Sequence, residues 1–182
     1  MTYEIIKFGN IALRKKSVRI ERVDAEIQQL AKDMLSAMHA KNGIGLAAEQ
    51  IGRDEAICVI DVPVEETCGI KMPLVMINPQ ITESDGEQQS QEGCLSFPGL
   101  YVKVKRASQI TAEFIDLDGR KQVVSPDGLL SRAIQHELDH LNGKLLVDHM
   151  SAVQKVANAG KLKRLKKEAM QNERNPSSFT HT

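Results

Sequence analysis

The sequence contains few cysteines, no excess of charge of either sign and no long apolar run. Its 182 residues include three cysteines, an odd number without a repeated spacing, so a disulfide framework is not expected and a reducing compartment is favoured. Lys and Arg number 24, as do Asp and Glu, and this balance argues against a surface built as a whole for nucleic acid or anionic lipid. No apolar run approaches the roughly 18 residues of a membrane span, and the first residues lack the apolar segment of a secretory signal. These absences predict a soluble, cytoplasmic protein that does not associate with a membrane.

Size and composition are typical of one globular domain. Hydrophobic residues make up 41% and charged residues 26% of the chain, which is the usual composition of a soluble, folded domain. A chain of this length can bury a sizeable core without disulfides. Residues 151–182 differ from the rest, because they contain seven basic and two acidic residues, a net charge of +5. We therefore expect a main domain over residues 1–150 and a basic C-terminal helix and tail over residues 151–182.

The pattern of apolar residues predicts a helix followed by several short strands. Residues 24–40 repeat apolar side chains at the spacing of one helical face, and Asp24 is suited to be the N-cap. Asp118-Gly119 is typical of a hairpin turn between two strands. The predicted strands cover residues 57–60, 74–77, 102–104, 109–115 and 123–124.

A second helix is predicted from Ser125-Pro126 to Asn142-Gly143. Proline is favoured at the first helical position, and glycine is favoured just after the last one. This helix carries two apolar stripes roughly 120° apart. One stripe contains Leu129, Ala133, His136 and His140, and the other contains Leu130, Ile134, Leu138 and Leu141. A helix that is apolar on two sides is expected to be buried.

Residues 136–140 read His-Glu-Leu-Asp-His and place two histidines one helical turn apart. Four steps of about 100° return nearly to the starting direction, so both imidazoles project the same way and can share one metal ion. A buried pair of imidazoles requires polar partners. A metal ion would supply them, and Glu137 would lie beside it.

A catalytic site of this kind usually has three protein ligands and one open position. The candidates for the third ligand are Cys94, His39 and His149. The two histidines are more typical of surface positions. Cys94 lies within residues 92–99, a segment bounded by glycine and proline that can bring backbone groups close to a metal and a substrate. Cys58 lies in an apolar run and is predicted to be a buried, inert thiol.

A glycine-rich segment, Gly-Ile-Gly-Leu-Ala-Ala-Glu-Gln, covers residues 43–50. Its spacing does not match that of a phosphate-binding loop. Considered alone, it is equally well explained as a turn of small residues packed on the core.

Together, three segments resemble the motifs of the peptide deformylases in order and separation. They are residues 43–50 (Gly-x-Gly-Leu-Ala-Ala-x-Gln), 92–96 (Glu-Gly-Cys-Leu-Ser) and 135–140 (Gln-His-Glu-x-Asp-His). The resemblance covers residues 4–150, although residues 101–106 differ from the commonest bacterial members. It implies an α+β fold in which antiparallel strands surround the histidine-bearing helix, and a metal-dependent hydrolase that removes the formyl group from the N-terminal formyl-methionine of newly synthesised polypeptides.

The resemblance also implies a role for individual residues and a cofactor. It implies one divalent metal ion, iron(II) in the cell, which zinc, nickel or cobalt can replace. The implied ligands are Cys94, His136 and His140. The implied general acid/base is Glu137, and the implied oxyanion-stabilising donors are Gln50 and the backbone N–H of Leu95. The expected substrate-binding residues are Ile44, Gly45, Leu129 and Ala133, the last two because they share the histidine stripe.

Two other classes of protein fit parts of the pattern. A zinc peptidase of the HExxH kind would take His149 as its third ligand, but it leaves Cys94 and Gln50 unexplained. A non-enzymatic metal-binding module would need a fourth protein ligand and no base. The resemblance favours nascent formyl-Met polypeptides as the substrate and a monomer as the active form. The basic C-terminal segment is similar to an extension with which some bacterial deformylases dock on the ribosome.

Overall fold

The computed structural model describes residues 3–174, so the end of the predicted basic tail lies outside the described residues. The seven strands of this part are β1 (Gly45–Ala47), β2 (Ile57–Ile60), β3 (Leu74–Asp85), β4 (Gln88–Gly93), β5 (Tyr101–Arg106), β6 (Gln109–Ile115) and β7 (Lys121–Val124). The four α-helices are α1 (Ala25–His39), α2 (Gly128–Leu141), α3 (Ala152–Ala157) and α4 (Ala159–Arg174). Within residues 3–174, we find no helix with the length and apolar character needed to cross a bilayer.

The strands form two antiparallel sheets. The larger one has the order β1-β2-β3-β6-β7, and β4 pairs with β5 in a separate two-stranded sheet. Strand β2 contacts a helix on each of its faces. Alternate side chains of a strand point to opposite faces, so β2 can pack against two helices at once. Ile57 and Val59 pack in one core cluster with α1, whereas Cys58 and Ile60 pack in another with α2. The predicted α+β fold, with antiparallel strands around the helix that bears the histidines, is confirmed.

Helix α1 forms as its sequence predicts. The Asp24 carboxylate caps it by accepting hydrogen bonds from the backbone N–H groups of Glu26 (3.0 Å) and Ile27 (3.1 Å). These bonds satisfy donors that have no partner inside the helix. The buried face consists of Ile27, Leu30, Ala31, Met34, Ala37 and Met38.

Helix α2 begins later than the sequence suggests. The prediction that Pro126 occupies the first helical position is wrong, because the helix starts at Gly128 with Asp127 as its N-cap residue. The preceding residues are still paired with the start of β6, where the N–H of Ile110 donates to the Pro126 carbonyl at 3.2 Å. This pairing keeps the chain extended through Asp127. At the other end, Gly143 has a φ of 68°, as expected for the glycine that follows a helix.

Two strands and part of a third were not predicted. Strand β1 has only three residues, and β3 continues to Asp85, well beyond its apolar first half. Strand β4 has the polar sequence Gln-Gln-Ser-Gln-Glu-Gly and therefore shows no apolar alternation. It forms because β5 pairs with it along its whole length.

Helix α4 packs on the N-terminal segment of the main domain. Leu165 is buried in a cluster that includes Phe8 and Phe97, whose rings stack with centroids 4.6 Å apart. The Lys166 ammonium lies 5.3 Å from the centroid of the Phe8 ring. A Cβ added at Gly9 would lie 2.8 Å from the Lys166 Cα. The helix is thus in close contact with residues 8 and 9.

Candidate active site

Cys94, His136 and His140 form a compact triangle of potential metal ligands. Their ligand atoms all lie within 4.8 Å of one another, and Cys94 Sγ is 3.3 Å from His140 Nε2. The histidines project from one side of α2, and Cys94 directly follows β4. Within residues 3–174, this is the one group of three such side chains with this spacing.

The other two histidine candidates lie outside the triangle and are paired elsewhere. His39 Nε2 is 2.8 Å from an oxygen of Asp61, and His149 Nε2 is 2.7 Å from an oxygen of Asp139. Cys58 is fully buried, and this burial raises the pKa of its thiol. None of these three side chains belongs to the ligand triangle of the described residues.

A buried carboxylate orients His136. Glu92 Oε2 lies 3.0 Å from His136 Nδ1, which leaves Nε2 of the same ring free to face the triangle. Glu92 in turn accepts two hydrogen bonds from Arg106 (2.9 Å each) and one from Arg132 (2.6 Å). Burial opposes ionisation of Glu92, but the hydrogen bonds from Arg106 and His136 outweigh it and lower the pKa below its usual range. A carboxylate behind a histidine ligand is a common way to fix the ring and raise its basicity.

The electrostatics of the triangle favour a thiolate ligand. Burial opposes ionisation of Cys94, but the charges and hydrogen bonds of His140 and His136 outweigh it and lower the pKa of the thiol well below its usual value. A thiolate with two imidazoles is a donor set that suits zinc and other first-row divalent ions. The residues present therefore fit one divalent metal ion.

Glu137 lies beside the triangle and is buried against a glycine. Its side chain is 3% exposed, and its Oε2 has no hydrogen-bond partner among the described residues. A Cβ added at Gly45 would lie 2.2 Å from Glu137 Oε1, so the missing side chain of β1 provides the space for this carboxyl group. Burial raises the pKa of Glu137 to about 7, and the neighbouring imidazoles of His136 and His140 partly oppose this rise.

Gln50 presents its amide donor to the same site. It lies in a short 3-10 helix, Ala48–Ile51, and its Oε1 accepts a hydrogen bond from the N–H of Ala47 at 2.9 Å. This bond directs Nε2 toward Cys94 Sγ (3.4 Å) and Ser96 Oγ (3.2 Å). The Gln50 Nε2 donor is therefore fixed next to the ligand triangle. Its two partners, Cys94 and Ser96, are the residues immediately before and after Leu95 in the chain.

These groups lie at the base of a cleft of about 610 Å³. The four residues predicted to bind substrate all line this cleft: Ile44, Gly45, Leu129 and Ala133. Gln50, Cys94, Leu95, His136 and Glu137 line it as well. The outer wall includes Tyr101, which is 66% exposed and belongs to the segment that departs from the commonest bacterial sequences.

Sequence reasoning missed the ionic network behind the site. Arg106 joins Glu92 to Asp139, which accepts a hydrogen bond from Arg106 at 2.6 Å. Asp139 also contacts His149, so the network extends from His136 to the short 3-10 helix Leu146–His149, which comes after α2 in the chain. In the sequence, Glu92 stands out only as the first residue of the Glu-Gly-Cys segment. No sequence pattern predicts its ion pair with Arg106.

A thiolate–imidazole triangle beside a buried carboxyl group, a fixed amide donor and an open cleft together define a metal-dependent hydrolase. Comparison with known proteins makes the class specific. The model of the polypeptide deformylase family matches residues 2–156, and the chain belongs to this family. It is a hydrolase that removes the formyl group.

Relatives and solved structures agree over most of the chain. A peptide deformylase of Prochlorococcus marinus subsp. pastoris is 49% identical over 150 residues, which cover 82% of this chain and 74% of the relative. The crystal structure of a peptide deformylase from Legionella pneumophila superposes with a TM-score of 0.82 at 37% identity, covering 92% of this chain and 96% of the other. That of the Synechococcus elongatus enzyme in complex with actinonin gives a TM-score of 0.78 at 40% identity, covering 91% and 86%. The zinc-peptidase and metal-binding-module alternatives are not favoured.

Proposed function

We propose that the protein acts in the cytoplasm as a monomer and removes the formyl group from the N-terminal formyl-methionine of newly synthesised polypeptides. The observation that supports this proposal most directly is that Glu137 and Gln50 line the same cleft as the ligands Cys94 and His136. The arrangement supplies the groups that amide hydrolysis needs, namely a metal site, a proton carrier and an oxyanion donor.

In this proposal Cys94, His136 and His140 hold one divalent ion. The family resemblance points to iron(II) in the cell, and the same donors accept zinc, nickel or cobalt. When bound, the ion acts as a Lewis acid that lowers the pKa of water and polarises the formyl carbonyl group. Glu92 keeps His136 oriented for this role through its contact with Nδ1.

Glu137 is the proton carrier. Its carboxyl group lines the cleft next to the ligands, and burial raises its pKa above the ordinary value. A carboxyl group in this position can first accept a proton and then return it. In the forward reaction it takes the proton of the attacking water and delivers it to the nitrogen of the leaving amine. Gly45 permits this position because it leaves room for the carboxyl group.

Gln50 and the backbone N–H of Leu95 stabilise the developing oxyanion. The Gln50 carboxamide donates a hydrogen bond through its NH₂ group without adding a charge to the site. Its orientation is fixed before substrate arrives, because Ala47 binds Oε1. Preorganised donors of this kind do not have to reorient as negative charge develops on the formyl oxygen.

The methionine side chain occupies the cleft against α2. Ile44, Gly45, Leu129 and Ala133 line this cleft. Ala133 is small, so the cleft is open at the turn of α2 that precedes His136. An unbranched, flexible thioether fits such an irregular apolar space.

The test compares three substrates and one variant. The metal-loaded protein should hydrolyse a short formyl-Met peptide but neither its acetylated analogue nor an internal peptide bond. Glu137→Ala should retain the metal, measured by elemental analysis, and lose at least about 10²-fold in kcat, the low end of general acid–base contributions. Cleavage of the internal peptide, or near-wild-type turnover by the variant, would contradict the assignment.

The basic C-terminal segment is proposed to add affinity for the ribosome. Lys163, Arg164 and Lys167 are exposed on α4, whereas Lys166 contacts Phe8 and is better left unchanged. Reversing the three exposed charges should reduce co-sedimentation with ribosomes at low salt, since contacts with phosphates depend on counterion release. Activity on short formyl peptides should stay the same. Unchanged co-sedimentation would indicate that these charges are only a solvated face.

A further inference from the structure

Three consecutive residues near the N-terminus bind the two segments that carry the proposed oxyanion donors. The N–H of Ile6 donates to the Gln50 carbonyl at 2.7 Å, and the N–H of Phe8 donates to the Ser96 carbonyl at 2.9 Å. Between them, Lys7 Nζ donates to the Leu95 carbonyl at 2.9 Å. The N-terminal segment 6–8 thus connects the residue that supplies the amide donor with the residue that supplies the backbone donor.

The Lys7 contact differs in kind from the other two. Backbone N–H groups at positions 6 and 8 would be supplied by almost any residue, but the bond to Leu95 requires a long side chain with a terminal donor. Lys7 is half-buried at the edge of the cleft. A hydrogen bond from a charged donor is roughly twice as strong as a neutral one, so this contact restrains the Leu95–Ser96 peptide group more than a water molecule would.

The restraint acts on the part of the chain where catalysis needs it. Leu95 follows the ligand Cys94, and the next turn is closed by the N–H of Phe97, which donates to the Cys94 carbonyl at 2.8 Å. Fixing the Leu95 carbonyl on one side of this turn limits rotation of the residue whose N–H is the proposed oxyanion donor. The stacked Phe8 and Phe97 rings hold the turn against the N-terminal segment from the opposite end.

We propose that Lys7 is a positioning residue for deformylation, which keeps the Leu95 backbone in the orientation that stabilises the oxyanion. This inference rests on the proposed function, because Leu95 has a catalytic role only there. Lys7 acts through the Leu95 carbonyl and not through the substrate, so its loss should lower kcat and leave KM nearly unchanged.

The experiment uses the metal-loaded, full-length protein and three variants. Lys7→Met removes the donor and keeps the length of the side chain, and Lys7→Arg restores a charged donor. We expect kcat on a short formyl-Met peptide to fall about tenfold in K7M, less than the roughly 10²–10³-fold loss caused by deleting an oxyanion donor itself. K7R should recover most of this loss, and metal content should be the same in all variants.

Amide hydrogen exchange provides a readout that does not depend on activity. The Phe97 amide should exchange faster in K7M than in the wild type, because the turn that it closes loses a restraint. Lys41→Met is the matched control. The Lys41 ammonium group lies close enough to Lys7 to add to the lowering of the Lys7 pKa by burial, but within the described part of the chain it donates no hydrogen bond to the Leu95 carbonyl. K41M should leave the exchange of Phe97 unchanged.

The outcomes separate this inference from the proposed function. A K7M variant with wild-type kcat and wild-type exchange would overturn the inference alone. A rise in KM with unchanged kcat would also overturn it, since Lys7 would then contact the substrate. An inactive wild-type protein would overturn the proposed function and, with it, the catalytic part of this inference. Loss of kcat in K7M, its recovery in K7R and faster exchange at Phe97 would support it.

Discussion

Gly45→Ala should separate the position of Glu137 from the binding of metal. The added Cβ would lie 2.2 Å from Oε1, 2.8 Å from Cδ and 3.1 Å from Cγ of Glu137. Favourable contacts between heavy atoms have separations of about 3.5–4.0 Å, so the carboxyl group must retreat by roughly 1 Å. Gly45 does not have a positive φ, so its backbone conformation is one that alanine can also adopt. The cost of the substitution therefore comes from lost space and not from backbone strain.

A displacement of this size should strongly reduce catalysis. Misplacing a catalytic group by about 1 Å can cost on the order of 10²-fold in rate, which corresponds to about 2.7 kcal/mol of activation free energy. We expect kcat on a short formyl-Met peptide to fall by about that factor. Metal content and thermal unfolding should remain close to those of the wild type, because the three heavy atoms nearest to the added Cβ all belong to Glu137 and none belongs to a ligand.

Gly160→Ala is the matched control. A Cβ at this position in α4 has no neighbour within 4 Å, so the same chemical change is made in open space. It should leave kcat unchanged. A Gly45→Ala protein that binds metal and retains near-wild-type kcat would refute the argument that the glycine positions Glu137 for proton transfer.

Three further predictions concern other parts of the site and core. Burial raises the pKa of Glu49 from its ordinary 4.5 to about 8. Between these pH values the folded state binds more protons than the unfolded state, so the free energy of unfolding should fall as pH rises from about 4.5 to 8. Glu49→Gln should remove much of that fall, a few kcal/mol at about 1.4 kcal/mol per pKa unit, and urea unfolding at several pH values would detect it; an unchanged pH dependence would contradict it. Cys94→Ser should lower metal content measured by elemental analysis, whereas Cys58→Ser should not, since only the first thiol is a ligand; metal loss from the Cys58 variant alone would reverse the assignment. Ala133→Phe should raise KM for formyl-Met peptides more than for formyl-Gly peptides, and equal effects on both would place the methionine side chain elsewhere.

The features that local geometry controls could be predicted from the sequence. Asp24 caps α1 as expected, because a short acidic side chain before a helix can reach the first free N–H groups. The i, i+4 spacing places His136 and His140 on one side of α2, whatever surrounds the helix. The motif order also indicated Cys94 as the third ligand, and the structure brings its Sγ to 3.3 Å from His140 although 46 residues separate them in the chain.

The start of α2 and the strand β4 could not be predicted, because both depend on partners that are distant in sequence. Residues 125–127 read as a helix start, yet they remain extended through pairing with β6. The polar residues of β4 show no strand pattern, and their conformation is decided by the β5 ladder. In both cases backbone hydrogen bonds to another strand override the local preference.

The order of the residues specifies which chemical groups form the site, but the electrostatic state of those groups depends on the fold. The sequence shows that residue 137 carries a carboxyl group. The pKa of that group rises to about 7 only because folding buries it against Gly45. Glu92 becomes the orienting partner of His136 only because Arg106 and Arg132 offset the cost of burying its charge. Burial and charge pairing are properties of distances across the fold, and a linear pattern does not contain them.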